Sequence, residues 1–199
     1  NFIIMAPSNQ NELIRMIHTT LFINDRPSAF RYPRGTGELS NSDKDTEPVE
    51  IGKGVILNEG NDVAVLNLGS RLQSCHEAIK ILNIRGINPT LADARFAKPI
   101  DTDLLDLLLD NHKYLLTIEE GSSGGFSASV LNYIHNKRIK LTSTKVNNIF
   151  FPDEFVDHQS PDDQYSEIGM DADSISKKIL KIYEDNVINF QNYNKNIKN

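Results

Sequence analysis

The chain has no tryptophan and one cysteine, Cys75, in 199 residues. A lone thiol excludes an internal disulfide and a cysteine-based zinc cluster, and it fits a reducing compartment. Long apolar runs are missing as well: Val63–Leu66 is typical, against the roughly 18 residues a membrane-spanning helix requires. No transmembrane helix is expected. Positive charge is not in surplus, with 21 Lys and Arg against 27 Asp and Glu and a net charge of -6. That balance argues against a broad nucleic-acid or anionic-membrane surface, which needs positive potential to displace counterions. The five histidines, His18, His76, His112, His135 and His158, lie far apart, so no pair has the spacing of a zinc site.

What is present, 39% apolar residues with mixed charge, describes a globular protein with one sizeable core or one domain plus part of another. Phe2–Met5 reads as a strand and Ser8 as the cap of a helix whose apolar face is Leu13, Ile17 and Leu21. Ser28–Arg31 reads as a second short strand. Two strands around one helix cannot bury both faces of a sheet, so residues 1–34 are expected to be the end of a larger domain, and the chain to begin within a fold. Phe2, Ile4, Ile14 and Ile17 should then lack part of their cover. Residues 35–50 are polar and read as a linker.

From residue 51 to 185 strands and amphipathic helices alternate. Strands are expected at Gly54–Leu57, Val63–Leu68, Thr90–Asp93, Tyr114–Ile118 and Lys145–Phe150, and helices at Leu72–Ile84, after Asp101, at Phe126–His135 and at Ala172–Tyr183. That order predicts an α/β fold, a mostly parallel sheet with helices on both faces. Residues 186–199, rich in Asn, are expected to be a mobile tail.

Candidate chemistry is sparse. In FRYPRG, Phe30–Gly35, Arg31 and Arg34 flank Tyr32 and Pro33 where a strand ends, the edge at which open parallel sheets collect ligands. A guanidinium fork suits a phosphate monoester, and Pro33 stiffens the turn, although an interface pair of arginines fits the pattern too. EEGSSGGF, Glu119–Phe126, joins a strand to a helix but is neither a Walker A loop nor a dinucleotide fingerprint; tight loop packing is its expected use. Glu119 and Glu120 should diverge, so only one can face a pocket. Asp93, Arg95 and Lys98 stand at the end of another strand, with ion pairing as their expected role. Cys75 shares a helical stripe with Leu72, Ile79 and Leu82 and reads as a buried apolar residue. No catalytic constellation is complete.

The ordered segments MAPSNQNEL, RYPRGTG, IGKG, ADARFAKPID, TIEEGSSGGF, FPDEFVDHQS and IGMDADSI, spread over residues 5–175, closely resemble the 1-deoxy-D-xylulose-5-phosphate synthase family. Transketolases and the β subunits of 2-oxoacid dehydrogenases share the domain type. The resemblance implies that residues 1–34 close a pyrimidine-binding domain and residues 51–185 form a three-layer transketolase C-terminal domain. It implies a thiamine-diphosphate transferase that uses Mg²⁺ to condense pyruvate with D-glyceraldehyde 3-phosphate, acting as a homodimer, with the cofactor and metal ligands outside this chain. The chain alone would then be inactive. Arg34 matches the family's anchor for the acceptor phosphate, with Arg31 as its neighbour. A plastid-type organelle is the implied location, towards which 21 Asn and 22 Ile also tilt, and a bacterial cytoplasm is the alternative.

Overall fold

In the computed structural model, which describes residues 1–35, 46–137 and 144–196, the apolar alternation resolves into two sheets. The larger is organised by β4 (Val63–Leu68), six residues that are all buried. A strand with no polar face must be covered on both sides. Val63 and Val65 point into one layer, Ala64, Leu66 and Leu68 into the other. β5 (Thr90–Asp93) and β7 (Tyr114–Glu119) run parallel to β4 on its two sides, and β8 (Lys145–Ile149) runs parallel to β7. β3 (Val55–Asn58) closes the opposite edge antiparallel to β5, giving the order β3-β5-β4-β7-β8.

Helices complete the layers. Leu72, Cys75, Ile79 and Leu82 of α2 (Leu72–Asn83) pack with Ile175, Ile179 and Ile182 of α6 (Ala172–Asn196) on one face. Leu104, Leu105 and Leu108 of α3 (Thr102–Asn111) join Phe126 and Val130 of α4 (Phe126–Asn136) on the other. The expected three-layer α/β/α domain with a mostly parallel sheet is the observed one.

The amino-terminal unit sets β1 (Ile3–Met5) parallel to β2 (Ser28–Phe30), with α1 (Gln10–Thr20) as the crossover. Unanticipated is β6 (Phe96–Lys98), three residues too short to show a period, which pairs antiparallel with β1. Through β6 the second unit lends cover to the first: fully buried Phe96 packs with Ile3, Met5, Met16 and Val49. Phe2, Ile4 and Ile17 nevertheless stay exposed.

Several expectations change. The cap of α1 is Asn9, whose side chain accepts from Glu12 N at 2.9 Å, so the helix starts one residue beyond a cap at Ser8. Its buried face is Glu12, Met16 and Thr19, while Ile17 and Leu21 are exposed. The helix is rotated because Met16 fills the small core under β1 and Glu12 takes two arginines. Of the 35–50 linker, residues 36–45 lie outside the described residues. Residues 46–50 dock on α1: Val49 is buried and exchanges hydrogen bonds with Thr19 Oγ1. α5 (Pro161–Glu167), capped by Ser160, was also unanticipated. The closing helix passes its expected end at Tyr183 and runs to Asn196, since extending a formed helix costs little even for middling formers such as Asn.

Because Phe96 is the residue that the second unit contributes to the first core, Phe96→Ala should cost about 3–5 kcal/mol. In hydrogen exchange the amides of β1 and α1 are expected to lose protection while those of β4 and β7 keep theirs. Uniform loss across all four elements would contradict the separation of the two cores.

Candidate functional site

β4 leads into α2 on one face of the sheet and β7 into α4 on the other, so the carboxyl ends of these neighbours bound a crevice at a topological switch point. The residues there are Ser70 and Arg71 after β4 and Glu119 and Glu120 at the end of β7. As strand geometry requires, the two glutamates diverge. Glu119 is buried and turns back onto its own connection, accepting from Phe126 N at 2.8 Å and Ser127 N at 2.7 Å. It thereby caps α4, a helix with no cap of its own at Gly125. The glycines of EEGSSGGF follow from this: a Cβ on Gly121 or Gly125 would lie 2.4 or 2.6 Å from Glu119 Oε2. The loop is wrapped around a carboxylate, and the anion-ready amides of α4 are occupied.

Glu120 faces the other way. Its Oε1 accepts from Ser70 Oγ at 2.5 Å and Tyr165 Oη at 2.7 Å and lies 2.9 Å from Arg71 Nε. Arg71 sits 3.4 Å above the Tyr165 ring, which stacks on Phe151. Burial, with help from the Glu120 carboxylate, raises the Tyr165 pKa above its ordinary value.

A second group of carboxylates ties the remaining motifs together. Asp101 caps α3, accepting from Asp103 N and Leu104 N, and its other oxygen accepts from Gly54 N at 2.9 Å. IGKG and ADARFAKPID are thus one contact, and Gly54 has no room for a Cβ beside Asp93 O. Glu12 on α1 receives Arg95 through two nitrogens, each at 2.8 Å, and Arg15 at 3.0 Å. Arg95 therefore pairs as expected. Lys98 is exposed and lines a cleft. Asp93 beneath this cluster accepts from Arg95 N, and burial pushes its pKa from 3.8 up to about 6.

The two sequence-chosen arginines, both exposed, enter different clefts. Arg34 lines one of about 710 Å³ together with Ser8, Asn9 and Gln10 at the start of α1, Tyr32, and Ser70 from the end of β4. Among the described residues Arg34 makes no ion pair or hydrogen bond. Arg31 lines the other, about 720 Å³, with Lys98, Leu68 and the glycine loop, and its Nη1 donates to Glu120 O at 2.5 Å. Ser70 was not legible as a neighbour of Arg34, because it arrives from a strand of the other sheet.

The Mg²⁺ that the resemblance implies finds no fitting donor set among the described residues. No group of three His, Cys, Asp or Glu among the described residues could hold a metal ion, and Asp101 and Glu119 already accept backbone N–H groups. Cys75 is buried, which pushes its thiol up to about 12 and leaves it unreactive.

The raised Asp93 carboxyl makes a signed prediction. Between about pH 4 and 6 the folded chain holds this proton more tightly than the unfolded chain, so Asp93 contributes a loss of stability as pH rises through that window. The gap corresponds to about 3 kcal/mol. Asp93→Asn keeps an acceptor for Arg95 N and should be more stable than the wild type at pH 7, with the difference closing by pH 4 in urea titrations. Parallel stability profiles for the two proteins would show that Asp93 titrates normally.

Comparison with known proteins places this geometry. The family described as "Transketolase, C-terminal domain" matches residues 52–175. The chain is 43% identical over 185 residues, 92% of its length, to 1-deoxy-D-xylulose-5-phosphate synthase 1, chloroplastic, of Cannabis sativa, and spans 26% of that relative's length. A split-gene transketolase described as an inactive β4 tetramer superposes with a TM-score of 0.79 at 24% identity, covering 91% of this chain and 57% of that one. A transketolase mutant from Pichia stipitis gives 0.63 at 16% identity, covering 91% of this chain and 25% of that one. With its α/β/α layers and the matched residues taken together, the chain belongs to the family of transketolase C-terminal domains.

Proposed function

We propose that the chain supplies the acceptor-phosphate anchor, and the structural contacts around it, of a 1-deoxy-D-xylulose-5-phosphate synthase. That enzyme condenses pyruvate with D-glyceraldehyde 3-phosphate, releasing CO₂, in the formation of isoprenoid, thiamine and pyridoxal precursors. The observation that carries the reading is Arg34, a guanidinium without a protein partner among the described residues, on the wall of an open cleft. A structural arginine is normally paired, whereas an anchor must keep its fork free for a phosphate. Ser8, Asn9 and Gln10 at the start of α1 line the same cleft, and the positive end of a helix favours negative charge.

The family depends on thiamine diphosphate, whose chemistry is the stabilisation of a carbanion derived from pyruvate. In this reading the cofactor and its Mg²⁺ are held by other parts of the enzyme, the chain alone is inactive, and the working form is a homodimer in a plastid-type organelle, with a bacterial cytoplasm as the alternative. Arg31 stands beside the anchor without sharing its cleft. A second reading, an assembly module of a transketolase or a 2-oxoacid dehydrogenase β subunit, draws on Ile17, Leu21 and Phe22, which form an exposed apolar patch on and after α1. Arg34 buried in an ion pair would favour that reading; its position on an open cleft supports substrate binding.

In the intact enzyme Arg34→Ala is expected to raise the KM for D-glyceraldehyde 3-phosphate by about tenfold or more, the value of one charged hydrogen-bonding group, and to leave the KM for pyruvate within about twofold. Equal effects on both substrates would remove the case for an acceptor-specific anchor.

A further inference from the structure

The switch-point crevice between β4 and β7 is where an open parallel sheet ordinarily receives a ligand. In this chain Glu120, Arg71, Ser70 and Tyr165 are tied to one another beside it, and the group that joins them from the amino-terminal unit is Arg31. Arg31 belongs to the amino-terminal unit: its backbone N donates to Met5 O at 3.0 Å, continuing the β1–β2 register. Its guanidinium crosses to the second unit and donates to the Glu120 carbonyl. The acceptor is rigid because the Glu120 side chain is fixed by three groups from two further segments, Ser70 and Arg71 after β4 and Tyr165 on α5. Ser70 also stands on the wall of the Arg34 cleft, so the cluster and the cleft share a residue.

Arg34 follows Arg31 by three residues, which span at most about 10 Å of chain. Pro33 removes one of the dihedral freedoms in between, and the Tyr32 ring leans on Phe30 at a centroid distance of 6.0 Å. Tethering Arg31 therefore confines Arg34. We infer that Arg31 is a positioning residue: docked on the Glu120 cluster at the switch point, it holds the Arg31–Arg34 turn so that the Arg34 fork faces the acceptor phosphate. The inference rests on the reading of Arg34 as that anchor. It assigns Tyr165, at the far side of the cluster, an indirect share in acceptor selection.

The test uses the full-length holoenzyme and two acceptors, D-glyceraldehyde 3-phosphate and unphosphorylated D-glyceraldehyde. The readout is the ratio of their kcat/KM values, which reports phosphate recognition and is insensitive to a general loss of active enzyme. Arg34→Ala should collapse the ratio. Arg31→Ala should lower it about tenfold and Tyr165→Phe about threefold, with the KM for pyruvate unchanged. Arg31→Lys, which keeps the charge and loses the fork, should fall between wild type and Arg31→Ala and guards against misfolding as the cause. The decisive measurement is the double variant, in which Arg31→Ala should add no further loss to Arg34→Ala, because a positioning residue has nothing left to position. A ratio unchanged in Arg31→Ala, or losses that multiply in the double variant, overturns the positioning role while leaving the anchor standing. An unchanged ratio in Arg34→Ala overturns both.

Discussion

Carboxylates buried at one edge of a sheet must find donors or cost several kcal/mol each, and the connections of this molecule are built to supply them. Glu119 takes two amides of α4, Asp101 takes two of α3 and one of Gly54, and Asp93 takes Arg95 N. Every one of these residues follows or ends a strand on the carboxyl side or caps the helix that comes next. The sheet could be formed by many apolar sequences; the turns could not. The glycines at 54, 121 and 125 are there because a Cβ would occupy space that a carboxylate or a carbonyl already fills.

This constraint explains why the recognisable segments of the sequence have little direct chemistry. IGKG, ADARFAKPID and TIEEGSSGGF close and cap the turns of the C-terminal domain, while IGMDADSI starts the last helix, with Asp171 accepting from Ser174 N. FPDEFVDHQS supplies Ser160, which caps α5, and Phe151, which supports Tyr165. MAPSNQNEL and RYPRGTG meet at the Arg34 cleft, and the described part of each contributes to it. A motif can mark a family through backbone requirements as readily as through catalysis.

Legibility in the sequence followed the same division. Strands buried on both faces, such as Val63–Leu68, and the α2 stripe around Cys75 announce themselves through period and composition, and both stand where expected. α1 misled because its apolar residues outnumber its buried ones: Leu13, Ile17 and Leu21 form a clean stripe, yet the stripe on the core is Glu12, Met16 and Thr19. A buried glutamate is invisible to hydropathy, since what buries it is Arg95, a residue 83 positions away. β6 was hidden for a related reason, its only partner among the described residues being a strand of the other unit. Arg34 could be chosen from a strand end and a proline, but its cleft could not, because Ser70 comes from a different sheet.

The two units are consequently coupled by the β1–β6 pairing, by polar side-chain contacts and by apolar residues exchanged between their cores, Phe96 in one direction and Ala6 in the other. Phe96 enters the amino-terminal core, Arg95 beside it meets Glu12, and Arg31 returns in the opposite direction to Glu120. The exchange is reciprocal: each unit sends an arginine into a carboxyl-edge cluster of the other. The Arg95–Glu12 ion pair adds little net stability, because desolvation offsets most of its attraction, but it and the hydrogen bond from Arg31 to the Glu120 carbonyl each demand one geometry. A hydrophobic seam of similar area would let the units slide by a fraction of an ångström at small cost. The phosphate anchor proposed for Arg34 would tolerate less than that, which would be a physical reason for forks and carboxylates at this boundary where apolar side chains would have been sufficient for adhesion.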